Sequence, residues 1–119
     1  MSAGERVVTM CRDLGLPVTH LAWPESDPAT RDGGAPPLPW FCWALEAGGE
    51  TFADGTNLAS LPRLVLELYE RSPDAGLHKA TEAAIQQTFG PFKRYESWAE
   101  SEHCLMTAWH FTDTSGKGD

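Results

Sequence analysis

The sequence predicts an α+β domain: a single antiparallel-rich β-sheet with an N-terminal helix and a second helix packed on one face. Three observations lead there. Apolar residues recur at helical spacing near the N-terminus and again over residues 74–89, each time between a start and a stop signal. Other stretches alternate with period two, as strands do. The resulting order is helix, strand, strand, short strand, long strand, helix, strand, strand, which packs most economically as one sheet with its helices on one side.

Each element has a local cause. Ser2-Ala3-Gly4-Glu5 has capping-box spacing, so Ser2 satisfies an orphan N–H while Glu5 reaches back. Val7, Met10, Cys11 and Leu14 form the apolar stripe of a helix over 2–14, and Gly15 and Pro17 end it. Residues 17–23 read as a strand. Between Pro24 and Pro39 lie five prolines and two adjacent glycines, so neither helix nor paired strand persists through this loop. Trp40 to Glu46 is the next strand, with Phe41, Trp43 and Leu45 on one face and Trp40, Cys42 and Ala44 on the other. Gly48-Gly49 suits a hairpin turn returning through Thr51-Phe52-Ala53, and Asp54-Gly55 turns the chain again.

Leu64, Leu66 and Leu68 alternate with Arg63, Val65, Glu67 and Tyr69 in a strand that tolerates Pro62 at its start. Ser72-Pro73-Asp74 predicts a second helix, with Ser72 as cap and Pro73 in the first turn. Its inward stripe is Leu77, Thr81, Ala84, Ile85 and Thr88; His78, Lys79, Glu82 and Gln86 are expected in solvent, and Gly90-Pro91 stops it. Two strands follow, Phe92 to Trp98 and Glu102 to Thr112, joined by the acidic turn Ala99-Glu100-Ser101. Residues 1–112 are thus expected to form one domain, with 24–39 as its Pro/Gly-rich loop and 113–119 as a flexible tail.

At 119 residues and 13.0 kDa the chain has room for one core without staples. Nothing approaches the roughly 18 apolar residues of a membrane span, and residues 1–20 lack a basic start followed by an apolar block, so the expectation is no membrane and no export signal. The net charge is −8. Phosphate-gripping proteins lay out basic stripes, and here Lys93-Arg94 is the lone basic pair in an acidic background, which disfavours DNA binding. Cys11, Cys42 and Cys104 are odd in number with no C-x-x-C spacing, arguing for free, buried thiols in a reducing compartment.

Catalytic signatures are missing: there is no G-x-S-x-G, no H-E-x-x-H and no dinucleotide glycine fingerprint. His20, His78, His103 and His110 are scattered, and adjacent His103 and Cys104 point to opposite faces of a strand, wrong for one metal. Glu96, Glu100 and Glu102 surround a predicted hairpin tip, where solvation keeps carboxylates from being tuned for acid–base work. No catalytic, cofactor or metal residue is therefore assigned. Five tryptophans are the anomaly. Trp40 and Trp43 face opposite sides of one strand, so the face away from the helices also needs cover, from another subunit or from the 24–39 loop.

Leu16-Pro17-Val18, Ala35-Pro36-Pro37-Leu38-Pro39-Trp40-Phe41, Phe52-Ala53-Asp54-Gly55, Leu66-Glu67-Leu68-Tyr69, Glu96 and Glu100-Ser101-Glu102 occur in that order. In this the chain resembles the tail-terminator, or tail-completion, proteins of long-tailed phages and prophages, over about residues 14–112. The resemblance implies a virion protein of the head–tail junction, assembled in the bacterial host cytoplasm, without catalysis or cofactor. It implies a homo-oligomeric ring, commonly a hexamer, that caps the tail tube, meets a head-completion or connector protein and lets DNA pass without specific binding. Trp40, Tyr69, Trp98 and Asp54 are then candidates for subunit or tail-tube contacts, and Glu96, Glu100 and Glu102 for polar contacts or an acidic lumen. The family often carries a hydroxylated aromatic where this chain has Trp40, which has no hydroxyl to make any hydrogen bond of that kind. The alternatives are a neighbouring connector, such as a stopper or adaptor, or a monomeric α+β ligand-binding domain or small enzyme with a cleft between the 24–39 loop and the carboxylates.

Overall fold

Ser2 opens the first helix as its spacing predicts. Its side chain accepts from the Glu5 backbone N–H at 3.1 Å, and the Glu5 carboxylate accepts from the Ser2 N–H at 2.9 Å. The computed structural model describes residues 2–21, 36–46, 61–100 and 103–113. The capped helix is α1, Ala3–Asp13, followed by β1 (Val18–His20), β2 (Trp40–Leu45), β3 (Arg63–Glu70), α2 (Ala75–Thr88), β4 (Phe92–Ala99) and β5 (Cys104–Thr112). The predicted return strand at 51–53, the turn at Asp54-Gly55, most of the Pro/Gly-rich loop and nearly all of the tail lie outside the described residues.

The fold is α+β. Among the described residues five strands run in the order β1-β2-β3-β5-β4, antiparallel except for the parallel pair β1–β2. Period-two alternation sorts the residues cleanly. Phe41 lies beside Leu68 and Thr107, Trp43 beside Leu66 and Trp109, and Leu64 beside Phe111 and then Phe92. These rows form the face on which both helices pack. Leu64, Leu66, Leu68, Phe41 and Trp109 are completely buried there, together with Val7 and Cys11 of α1 and Ile85 of α2. Each large apolar side chain among them contributes about 1.5–3 kcal/mol of transfer free energy.

α1 sits close to the sheet because Gly4 has no side chain: a Cβ there would lie 2.4 Å from the Trp43 ring. Trp43 in turn stacks on His20 of β1 at 4.1 Å between ring centroids. The two helices are tied together by Arg6. It donates two hydrogen bonds of 2.8 Å to the Asp113 carboxylate and one of 2.8 Å to the Thr88 carbonyl, and its guanidinium lies 4.7 Å over the Phe89 ring. One side chain thus joins α1, the end of α2 and the end of β5.

Three local expectations are corrected. α2 is capped by Asp74 rather than Ser72, with Oδ1 accepting from the Leu77 N–H at 3.0 Å. Asp74 is placed for this because its own N–H donates to the Glu70 carboxylate at 3.2 Å, so Pro73 falls before the helix instead of within it. His78 is buried and Glu82 half-buried, where solvent was expected. The last strand begins at Cys104 instead of Glu102, because His103 turns the chain in the left-handed region, φ 52°, and its N–H donates to the Glu100 carbonyl. At the other end of α2 the stop is as read: Gly90, with φ 121°, takes a conformation that side chains disfavour and donates to the Ile85 carbonyl at 3.0 Å.

Candidate interaction surface

The residues singled out from the sequence separate into two groups. Trp40 and Tyr69 are directly opposite each other on β2 and β3, on the face away from the helices. Their rings stack at 4.6 Å, and the Tyr69 hydroxyl donates to the Glu67 carboxylate at 3.0 Å. Trp40 is 7% exposed, so it belongs to a packed second face together with Cys42 and Ala108.

Trp98 and Glu96 belong to the other group. They lie on β4, an edge strand separated from β2 by β3 and β5, which is about 14 Å at normal strand spacing. Both are on the helix side of the sheet, yet α2 leaves them open: every residue from Lys93 to Trp98 is exposed. Trp98 is 54% and Tyr95 55% exposed. Glu100 follows in the turn. Asp54 and Glu102 lie outside the described residues. Glu96 is therefore a mid-strand residue, opposite Thr107, and not part of a hairpin tip.

Between these groups is a polar network that sequence reasoning missed. Glu70 continues the parity of Leu64, Leu66 and Leu68, so the strand turns its carboxylate inward, where it is 2% exposed. A buried carboxylate needs partners. His78 supplies one, with Nε2 2.6 Å from Glu70 Oε1. The other ring nitrogen, Nδ1, lies 3.2 Å from Arg94 Nη2. Arg94 has only donors, so Nδ1 accepts and the ring proton sits on Nε2, pointing at Glu70. Arg94 also donates to Glu82 at 2.9 Å and to Glu96, and the Trp109 indole N–H donates to the same Glu82 oxygen at 2.9 Å. The bond to Glu96, opposed by partial burial and helped by the charge of Glu82, holds the Arg94 guanidinium above its ordinary pKa.

A signal for this network was present in the sequence. His78 stands three and seven residues before Thr81 and Ile85, on the buried stripe, and Glu70 is in register with three leucines. Chemically the network is closed: His78 and the carboxylates of Glu70 and Glu82 are engaged by groups of the same chain, and its effect is to anchor α2 to β3, β4 and β5. An open cleft of about 460 Å³ lies beside it, lined by Pro73, His78, Glu82, Arg94, Glu96 and Leu105. Among the described residues no three His, Cys, Asp or Glu side chains are grouped to hold a metal. Burial pushes the Cys11 thiol up to about 12, and burial with the nearby Glu67 charge pushes Cys42 up to about 11, so both stay protonated at neutral pH.

A second polar cluster sits on the opposite face. The His110 Nδ1 is 2.7 Å from Glu46, Glu46 is 3.6 Å from Arg63 Nε, and the Tyr95 ring meets His110 edge-on at 5.2 Å. The chain matches no protein-family model, and no curated protein or solved structure is significantly similar to it.

Proposed function

We propose that the chain is a structural virion subunit, a tail terminator that forms a homo-oligomeric ring, caps the tail tube and joins it to the head. The observation that carries this reading is the ordered set of short motifs along the chain that resemble that family. Leu16-Pro17-Val18 enters β1, Pro36 to Phe41 leads into β2, Leu66 to Tyr69 lies in β3, Glu96 in β4, and Glu100 directly follows β4. Two physical features support the reading. Large aromatic side chains stand open on an edge strand, as a subunit surface requires. A net charge of −8 suits a ring through which DNA slides without sticking.

Deleting the gene from its phage and imaging the products by electron microscopy tests the role. Overlong tubes beside unattached filled heads are expected. Tails of normal length without heads would reassign the chain to the neighbouring connector, and intact virions would refute both.

A further inference from the structure

Among the described strands β4 is one edge of the sheet, and its sequence is nearly palindromic in chemistry: Phe92, Lys93, Arg94, Tyr95, Glu96, Ser97, Trp98. We propose that two copies of the chain pair through β4, antiparallel and centred on Tyr95, into a two-fold dimer with one continuous ten-stranded sheet. Charge complementarity identifies the occupant of the edge as a second copy. With Tyr95 opposite itself, Arg94 of each copy faces Glu96 of the other, Phe92 faces Trp98, and Lys93 faces Ser97. Two opposite-charge pairs and two aromatic pairs thus form at once, the cross-strand combinations that stabilise antiparallel sheets.

The same charges select the register. A pair centred on Arg94 sets Arg94 against Arg94, and one centred on Glu96 sets Glu96 against Glu96; both are repulsive. Charges on an edge strand ordinarily discourage pairing with other chains. Here they discourage the neighbouring registers and favour the one centred on Tyr95. The strand is also sterically ready, since Lys93 through Trp98 are exposed on both faces and no described strand pairs with its outer side. Arg94 and Glu96 already touch within one chain, so dimerisation extends an existing pair into a four-residue alternating network.

This inference does not rest on the ring reading. A single ring whose two faces meet different neighbours has no place for a two-fold contact within it. The pair is then the state of the free subunit, with its most exposed edge covered.

Sedimentation of the purified full chain over a range of concentrations provides the test. A monomer–dimer equilibrium is expected. Glu96→Arg and Arg94→Glu each turn both charge pairs repulsive and weaken it roughly tenfold or more. A mixture of the two variants restores a heterodimer, because both contacts between positions 94 and 96 then join an arginine to a glutamate again. Arg94 also holds Glu82 and His78, so the Arg94→Glu variant is open to misfolding, and a cysteine pair carries the test without it. Tyr95→Cys, at the centre, forms a disulfide dimer on oxidation; Ser97→Cys, offset from its twin by about four residues of strand, or roughly 13 Å, does not. A chain that is monomeric throughout, a dimer indifferent to Glu96→Arg, or equal cross-linking at both positions would overturn the proposal. A hexameric ring without the Tyr95→Cys cross-link would overturn it and leave the ring standing. A cross-linked dimer from a phage whose tails form normally without the chain would do the reverse.

Discussion

Replacing Asp113 by alanine is expected to destabilise the fold by about 2–4 kcal/mol. That size follows from the geometry of its partner. Asp113 is 1% exposed, and its two carboxylate oxygens each accept from the same Arg6 nitrogen, Nη1, at 2.8 Å. Removing one member of a buried pair typically costs about 3–5 kcal/mol, because the other charge is left desolvated without its counterion. Arg6 is 21% exposed and keeps its bond to the Thr88 carbonyl and its place over Phe89, so water and these contacts recover part of that cost. For a domain of this size the loss corresponds to a fall in Tm of about 10–15 °C. Chemical denaturation of the wild type, Asp113→Ala, Arg6→Met and the double variant closes a double-mutant cycle. Arg6→Met keeps an apolar stem beside Phe89 while removing the charge. A coupling of at least about 1.5 kcal/mol is expected, with the double variant less damaged than the sum of the singles. A coupling near zero, or a loss below about 1 kcal/mol for Asp113→Ala, would mean that the pair behaves as a screened surface contact and that the three elements are not held by it.

Two further predictions concern the interior. His78→Ala leaves the buried Glu70 carboxylate with the Asp74 N–H but without its imidazole partner, and removes an acceptor from Arg94; it is expected to cost about 2–4 kcal/mol and to raise amide exchange over α2 before the sheet. Uniform exchange across the domain would refute the idea that this network anchors the helix. Cys11 and Cys42 have pKa values raised in the folded chain above the ordinary 9.0, to about 12 and about 11, because folding disfavours their thiolates. Their stabilising effect is complete below pH 9 and is lost as the pH climbs towards 11–12, since the unfolded chain releases those protons first. Denaturation midpoints measured above pH 9 should therefore fall, and Cys11→Ala should flatten the slope; an unchanged slope would contradict the assignment.

How much of this was legible beforehand depends on how local the governing interaction is. The Ser2–Glu5 cap, the Gly90-Pro91 stop and the alternation of Leu64, Leu66 and Leu68 act within a few residues, and each is where the sequence puts it. The opposite facing of Trp40 and Trp43 is a matter of strand parity and was equally readable. The candidate site was legible only in part. Trp98 and Glu96 read from the sequence as contact residues, but nothing in their neighbourhood shows that β4 becomes an edge of the described sheet. His78 and Glu82 were misplaced because a polar residue on a helix is read as solvated unless a partner is known, and their partners, Glu70, Arg94 and Trp109, lie on three different strands.

Among the described residues the sequence by itself determined which segments become helix and strand and which residues share a face, and it alone shows the excess negative charge, because capping, periodicity and composition are properties of short segments. Tertiary structure alone decided the strand order, the parallel docking of β1 on β2, the burial of the Glu70–His78 pair and the exposure of β4. Those outcomes depend on which distant segments meet. A carboxylate becomes a structural anchor, or a strand becomes an open edge, only when the chain has folded around it.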